Sequence, residues 1–225
     1  MPAANVTSWI RIGVWALPLY GLLTFWTTFI HQPDPSTNFE AYARYVSATN
    51  YLVDHLFGSI LGVMLAIFGA MALGVYLSSR RSALWAMVLS IAGNALILTI
   101  FGMSTFATPA VGRAYLQGQR NIIEVNQDIL GTPVIVTALV GGLLYSTGTI
   151  LFGIAVWRSA TLPKWAGVLY APTGLLISIV GLAIGEAQTL GSILIIVGGS
   201  WIAWSVMRRP PTEPVETAAQ PSRVS

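Results

Sequence analysis

The sequence predicts an all-α polytopic membrane protein, a six-transmembrane-helix bundle with both termini cytoplasmic. Three observations predict it. Hydrophobic residues make up 55% of the 225 residues and charged residues only 8%, against about 25% charged in soluble domains. Six stretches free of Asp, Glu, Lys, Arg and His are each long enough to cross a hydrocarbon core of roughly 30 Å. Lys and Arg are also shared unequally between the connections that those stretches define. Eleven basic and eight acidic residues, several of them near the C-terminus, cannot coat a globular surface. The composition therefore excludes a soluble globular protein, a disordered chain and a nucleic-acid binder working through a basic face.

The stretches are Ile12 to Ile30, Leu56 to Ser79, Ser82 to Gly112, Ile129 to Trp157, Trp165 to Gly185 and Ala187 to Met207. Open sheets would leave edge groups unpaired in lipid. Barrel strands would alternate apolar and polar residues over about ten positions, and these runs do not. The expected helices cover residues 12–30, 56–79, 83–106, 132–157, 165–185 and 187–207 of one transmembrane domain, 1–207. The first run follows Arg11, as a signal peptide would. It is too long for one, and it leads to His31-Gln32-Pro33 instead of a small-residue cleavage site, so a retained helix is expected. Pro18 and Pro172 fall inside runs and should kink their helices.

With the N-terminus inside, Arg11, Arg80, Arg81, Arg158, Lys164, Arg208, Arg209 and Arg223 lie in the cytoplasm and only Arg44, Arg113 and Arg120 outside. Six of the eight acidic residues fall outside, and Trp9, Trp85, Trp157, Trp165 and Trp204 would sit at the inner headgroups. The expected location is the plasma membrane, the bacterial inner membrane. Residues 208–225, rich in Pro, Thr, Glu and Ala, read as a disordered cytoplasmic tail.

The inner turns are short and the first two outer connections long. In the first, Thr37 and Glu40 have capping-box spacing, and Phe39, Tyr42, Val46 and Val53 follow at helical intervals. In the second, Tyr115, Ile122, Val125 and Ile129 fall on one helical face, with Arg120 and Glu124 spaced to pair. A weak parallel repeat aligns Gly74 with Gly153, Trp85 with Trp165 and Val88-Leu89 with Val168-Leu169. In the second copy Phe152-Gly153, Arg158-Ser159, Leu162-Pro163-Lys164 and Gly167-Val168-Leu169 resemble the closing hairpin of an uncharacterised family of small bacterial multi-helix membrane proteins, a domain of unknown function. The resemblance is limited to Phe152–Leu169. It implies a several-helix membrane architecture and no site residue.

The chain has no cysteine, which excludes thiolate chemistry and Cys-based metal centres. No metalloprotease, nucleophile-elbow, P-loop or dinucleotide motif is present, and no cofactor is identified. The spans hold only uncharged polar groups. Among these Asn94 lies near the centre of the third run and calls for a partner from another helix or a bound polar group. Tyr145 is similarly deep. Gly58 with Gly62 and Gly181 with Gly185 have the spacing that lets helices approach closely. At the outer side, His31 ends the first helix and Asp54 and His55 begin the second, with Asp34 and Glu40 between. Three readings stay open: polar residues satisfying helix ends, an acid–base pair at a pocket mouth, or ligands of a metal or haem.

The leading expectation is a ligand site on the extracytoplasmic side for a hydrophobic or amphipathic small molecule or a partner, formed by His31, Asp54, His55 and Glu124 with Asn94 and Tyr145 deeper. One alternative is an enzyme acting on a lipid or isoprenoid with Asp54, Glu124 or Glu186 as the acid. The other is a structural or assembly subunit bound to a membrane-protein partner.

Overall fold

The computed structural model describes residues 3–208, with side chains from Ser8 onward. Among these residues every regular element is helical. Six helical segments are long and apolar enough to span a bilayer: Ser8–Thr27, Thr49–Tyr76, Arg81–Leu116, Ile122–Arg158, Lys164–Leu182 and Gly185–Met207. The chain is a multi-pass membrane protein. The stretch read as a disordered tail lies outside the described residues from position 209 onward.

Several spans are broken at identifiable residues. Span one consists of α1 (Ala3–Val14) and α2 (Ala16–Thr27). Pro18 has no N–H to give the Val14 carbonyl and its ring crowds that carbonyl, so the break falls at Trp15. Span two contains α4 (Thr49–Asp54), a π-helical turn (His55–Leu61) and α5 (Gly62–Tyr76). It starts earlier than expected, and Asp54 and His55 lie within it instead of at its first residues. The buried Tyr51 holds the added turn in place, its Oη donating to the Ser104 carbonyl of span three at 3.0 Å. Span three is α6 (Arg81–Phe106), continued past a bend at Ala107 by α7 (Thr108–Leu116), with Pro109 in the first turn of α7 where a missing N–H costs nothing. Span four is α8 (Ile122–Ile129) followed by α9 (Thr132–Arg158). Span five is the most interrupted: α10 (Lys164–Tyr170), α11 (Thr173–Ser178) and a 3-10 turn (Val180–Leu182). Span six is the unbroken α12 (Gly185–Met207).

The first long loop folds into α3 (Phe39–Val46). Its N-cap is Asn38, whose side chain accepts from the Ala41 N–H at 2.9 Å, and not Thr37. Thr37 is held instead in the turn closed by Asp34, its hydroxyl donating to the Asp34 carbonyl at 3.2 Å. Glu40 does not reach back as a capping box requires, because Arg44 takes it at 2.6 Å. Phe39, Tyr42 and Val46 form the buried side with Tyr51, while Val53, expected to continue that stripe, is exposed on a different helix. In the second loop Gly118 takes a φ of +95°, open to glycine and costly for other residues. It separates α7 from α8, so Tyr115 and Val125 do not share a face. Arg120 lies 4.2 Å over the Tyr115 ring, and among the described residues it forms no ion pair with Glu124.

The spans pack in chain order into a closed ring, one against two, two against three and so on until six returns to one. Both ends of the six-span domain therefore emerge on the side of the short turns. Without a hydrophobic drive between helices in lipid, close van der Waals contact holds such a ring. Spans three and four touch where a Cβ on Gly93 would come within 2.5 Å of the Tyr145 nitrogen and 2.6 Å of the Gly141 carbonyl oxygen. The aligned Gly74 and Gly153 of the repeat each face the returning helix, against Met87 and against Gly167 and Ala171. Gly185, expected to mediate packing, meets nothing within 4 Å. Thr149 of α9 patches the break at Pro172. Its hydroxyl lies 3.0 Å from the Ser146 carbonyl and 3.1 Å from the Ala171 carbonyl, and it accepts from the Gly174 N–H at 3.3 Å.

Gly93→Ala should force spans three and four apart at a cost of about 1–3 kcal/mol, seen as a lower melting temperature in detergent. Gly102→Ala, in the same helix with nothing within 4 Å, should leave the melting temperature unchanged.

Candidate functional site

The two halves of the ring are filled differently. Towards the short turns the axis is packed solid with Leu17, Leu73, Phe152, Val156, Ile202 and Val206, all buried. Towards the long loops the facing side chains are small, including Gly58, Ser59, Ala138, Ser178 and Gly181, and a cavity of about 300 Å³ remains. All six spans contribute to its wall. Tyr20 and Tyr145, edge to face with centroids 6.4 Å apart, stand in its deeper part. Leu182 and Gln188 belong to the rim, and Leu182 is 67% exposed. The space is thus a pit with a dense core beneath it.

Its chemistry is apolar with a few uncharged polar groups. Isoleucines 97, 100 and 177, Phe101 and Val63 supply apolar wall. Asn94 is buried and donates through Nδ2 to the Ser90 carbonyl of its own helix at 2.8 Å. Its side chain makes no other hydrogen bond, so it does not tie two helices together, and its carbonyl oxygen and second N–H are free. Tyr145 is also buried, and its Oη meets no hydrogen-bond partner of good geometry, although the Tyr20 phenol stands within loose hydrogen-bonding reach of it. No Asp, Glu, His, Lys or Arg lines the pit. A buried hydroxyl without a partner is expensive, and a pit this large and apolar, with a few convergent polar groups, has the usual form of a small-molecule site.

Of the residues singled out in the sequence, the fold brings Asn94 and Tyr145 together in this wall. The others stand elsewhere. His31 is exposed, its Nδ1 3.1 Å from the Phe29 carbonyl oxygen. His55 opens the π-helical turn that carries Gly58 and Ser59 to the pit, but its own ring stacks on Tyr51 at 3.9 Å and its Nδ1 lies 3.0 Å from the Tyr51 carbonyl oxygen. Asp54 is half-buried beside it and near enough to Tyr45 that its charge, added to burial, raises the Tyr45 phenol above its ordinary value. Glu124 and Glu186 are exposed on α8 and in the first turn of α12. Among the described residues no three His, Cys, Asp or Glu gather where a metal ion could sit. The Arg44 guanidinium holds Glu40 ionised, below the usual carboxylate range. Sequence reasoning missed Tyr20, Thr24, Ser59 and Gln188 as wall residues. Their only common signal is a polar or aromatic group inside, or at the rim of, an apolar run.

No family model matches this chain, and no curated protein or solved structure matches it at a significant level.

Because Tyr145 Oη is unpaired and Tyr51 Oη is bonded, their Phe variants should differ. With the pit free of ligand, Tyr145→Phe should keep or raise the melting temperature, whereas Tyr51→Phe should lose about 1 kcal/mol. Thermal unfolding of both in the same detergent decides it.

Proposed function

We propose that the pit binds a neutral, largely apolar molecule whose head carries a carbonyl, hydroxyl or ether oxygen. The observation that carries this reading is the unpaired Tyr145 hydroxyl, buried with the free amide groups of Asn94 in a wall that lacks any charge. An ionised head would stand there without a counter-charge and lose its hydration. A neutral oxygen would accept from Tyr145 and from the second N–H of Asn94, while its apolar body would lie along Ile97, Ile100 and Ile177. The exposed Leu182 at the rim gives the entrance an apolar side, suited to entry from lipid. The acid–base alternative draws less support, because Asp54, Glu124 and Glu186 do not line the pit. Nothing specific favours the assembly-subunit reading. In the cell we place the protein in the plasma membrane with the long loops extracytoplasmic, on the strength of the basic residues clustered at the short turns.

Native mass spectrometry of protein extracted in mild detergent tests the binding. The wild type should retain a small molecule, Tyr145→Phe should hold it about two- to tenfold more weakly, and Ala138→Trp, which fills the pit, should hold none. A wild type that is always empty, or an Ala138→Trp variant as loaded as the wild type, would overturn the proposal. The orientation has its own check, since a chain without cysteine accepts single reporters. Ser36→Cys should react with an impermeant maleimide in intact cells and Ser79→Cys only after lysis.

A further inference from the structure

A second recess lies on the loop side, sharing no wall residue with the pit. It has a volume of about 270 Å³ and is set between the α3–α4 corner and the bend from α6 into α7. Thr105, Pro109 and Arg113 line it at intervals of one helical turn, across from Ser47 and Thr49. Leu52 and Phe106 complete its apolar edge, and Phe106 is 64% exposed where α6 ends.

The Thr105 hydroxyl donates to the Phe101 carbonyl at 2.6 Å, but the side chains of Ser47 and Arg113 are unspent. The three arginines on the loop side are Arg44, Arg113 and Arg120. Arg44 is paired with Glu40 and Arg120 is stacked on Tyr115. The Arg113 side chain makes no ion pair, hydrogen bond or ring contact among the described residues, and no carboxylate lines the recess beside it. Ser47 Oγ is buried without a hydrogen-bond partner. A guanidinium with no counter-charge, next to hydroxyl donors, matches an oxyanion, and its planar fork suits phosphate in particular. The placement selects the source. The recess runs from the end of α6 to Arg113, the residue that closes the charge-free stretch of the third span, and the exposed Phe106 gives it an apolar edge along which an acyl chain can lie.

We propose that this recess holds the phosphate of a phospholipid headgroup from the loop-side leaflet, with Arg113 as the cation and Ser47 and Thr49 as hydroxyl donors. The site is independent of the pit and stands whether or not the pit binds a ligand.

Titration of the full-length protein in detergent with phosphatidylglycerol, followed by native mass spectrometry, tests it. Arg113→Gln should weaken the lipid adduct about tenfold, Arg113→Lys by less, and Thr49→Ala measurably. Because the Arg113 side chain is exposed and makes no hydrogen bond, ion pair or ring contact among the described residues, its variants should melt with the wild type. Diacylglycerol, which lacks the phosphate, should not compete. Equal phosphatidylglycerol binding by wild type and Arg113→Gln, or competition by diacylglycerol, would overturn the oxyanion site. Displacement of the lipid by millimolar inorganic phosphate would overturn the lipid source and assign the recess to a soluble anion.

Discussion

Inside hydrocarbon a backbone amide has no water to fall back on, so each one must find its partner within the protein. The break in span five shows how that requirement is met. Pro172 removes one hydrogen bond from span five and disturbs the turn around it. The Thr149 hydroxyl, reaching across from span four, stands beside the Ala171 carbonyl and accepts the Gly174 N–H. With the break made good, α11 and the 3-10 turn can leave the axis of α10 and carry Ile177, Ser178, Gly181 and Leu182 into the wall of the pit. The π-helical turn of span two serves the opposite wall in the same way, presenting Gly58 and Ser59. Such turns are frequent at functional positions in helices.

Packing then divides the bundle into a rigid half and a hollow half. At the short turns large side chains interlock on the axis and glycines bring backbones into contact. The tryptophans on that side, Trp9, Trp85, Trp157, Trp165 and Trp204, are exposed at the level where an aromatic belt would meet headgroups. Lys164 lies over Trp157 and Arg208 over Trp204, so two basic residues at the short-turn end stack on those rings. At the loop side small residues face one another and nothing of the chain's own fills the gap.

The long loops are built elements in their own right. Tyr42, Val46 and Tyr51 form a compact cluster that joins α3, α4 and α7, with Phe39 bridging to Tyr115 at 4.8 Å. Burial raises the Tyr42 phenol above its ordinary value, so this cluster stays uncharged at neutral pH. The histidine–carboxylate group that looks most like chemistry in the sequence is largely absorbed here: His55 stacks on Tyr51, and Asp54 faces Tyr45. Among the described residues the buried hydroxyls without a hydrogen-bond partner are those of Tyr45 in this cluster, Ser47 on the loop side, and Ser90 and Tyr145 deeper in the bundle.

The linear sequence by itself determined the number of spans and the all-helical class, because charge-free runs of that length have few other ways to exist. It also located the proline breaks and marked Asn94 and Tyr145 as buried polar groups. It could not show that Thr37 would yield the cap to Asn38, since that depended on the Asp34 turn closing first. Nor could it show that Asn94 turns to its own helix, or that Gly93 and Gly153 would make the close contacts while Gly185 made none, because heptad-scale spacing does not say which neighbour arrives. The pit and the recess were decided by tertiary structure alone. Each is a volume left between helices far apart in the chain, and an empty volume belongs to no residue that a sequence can name.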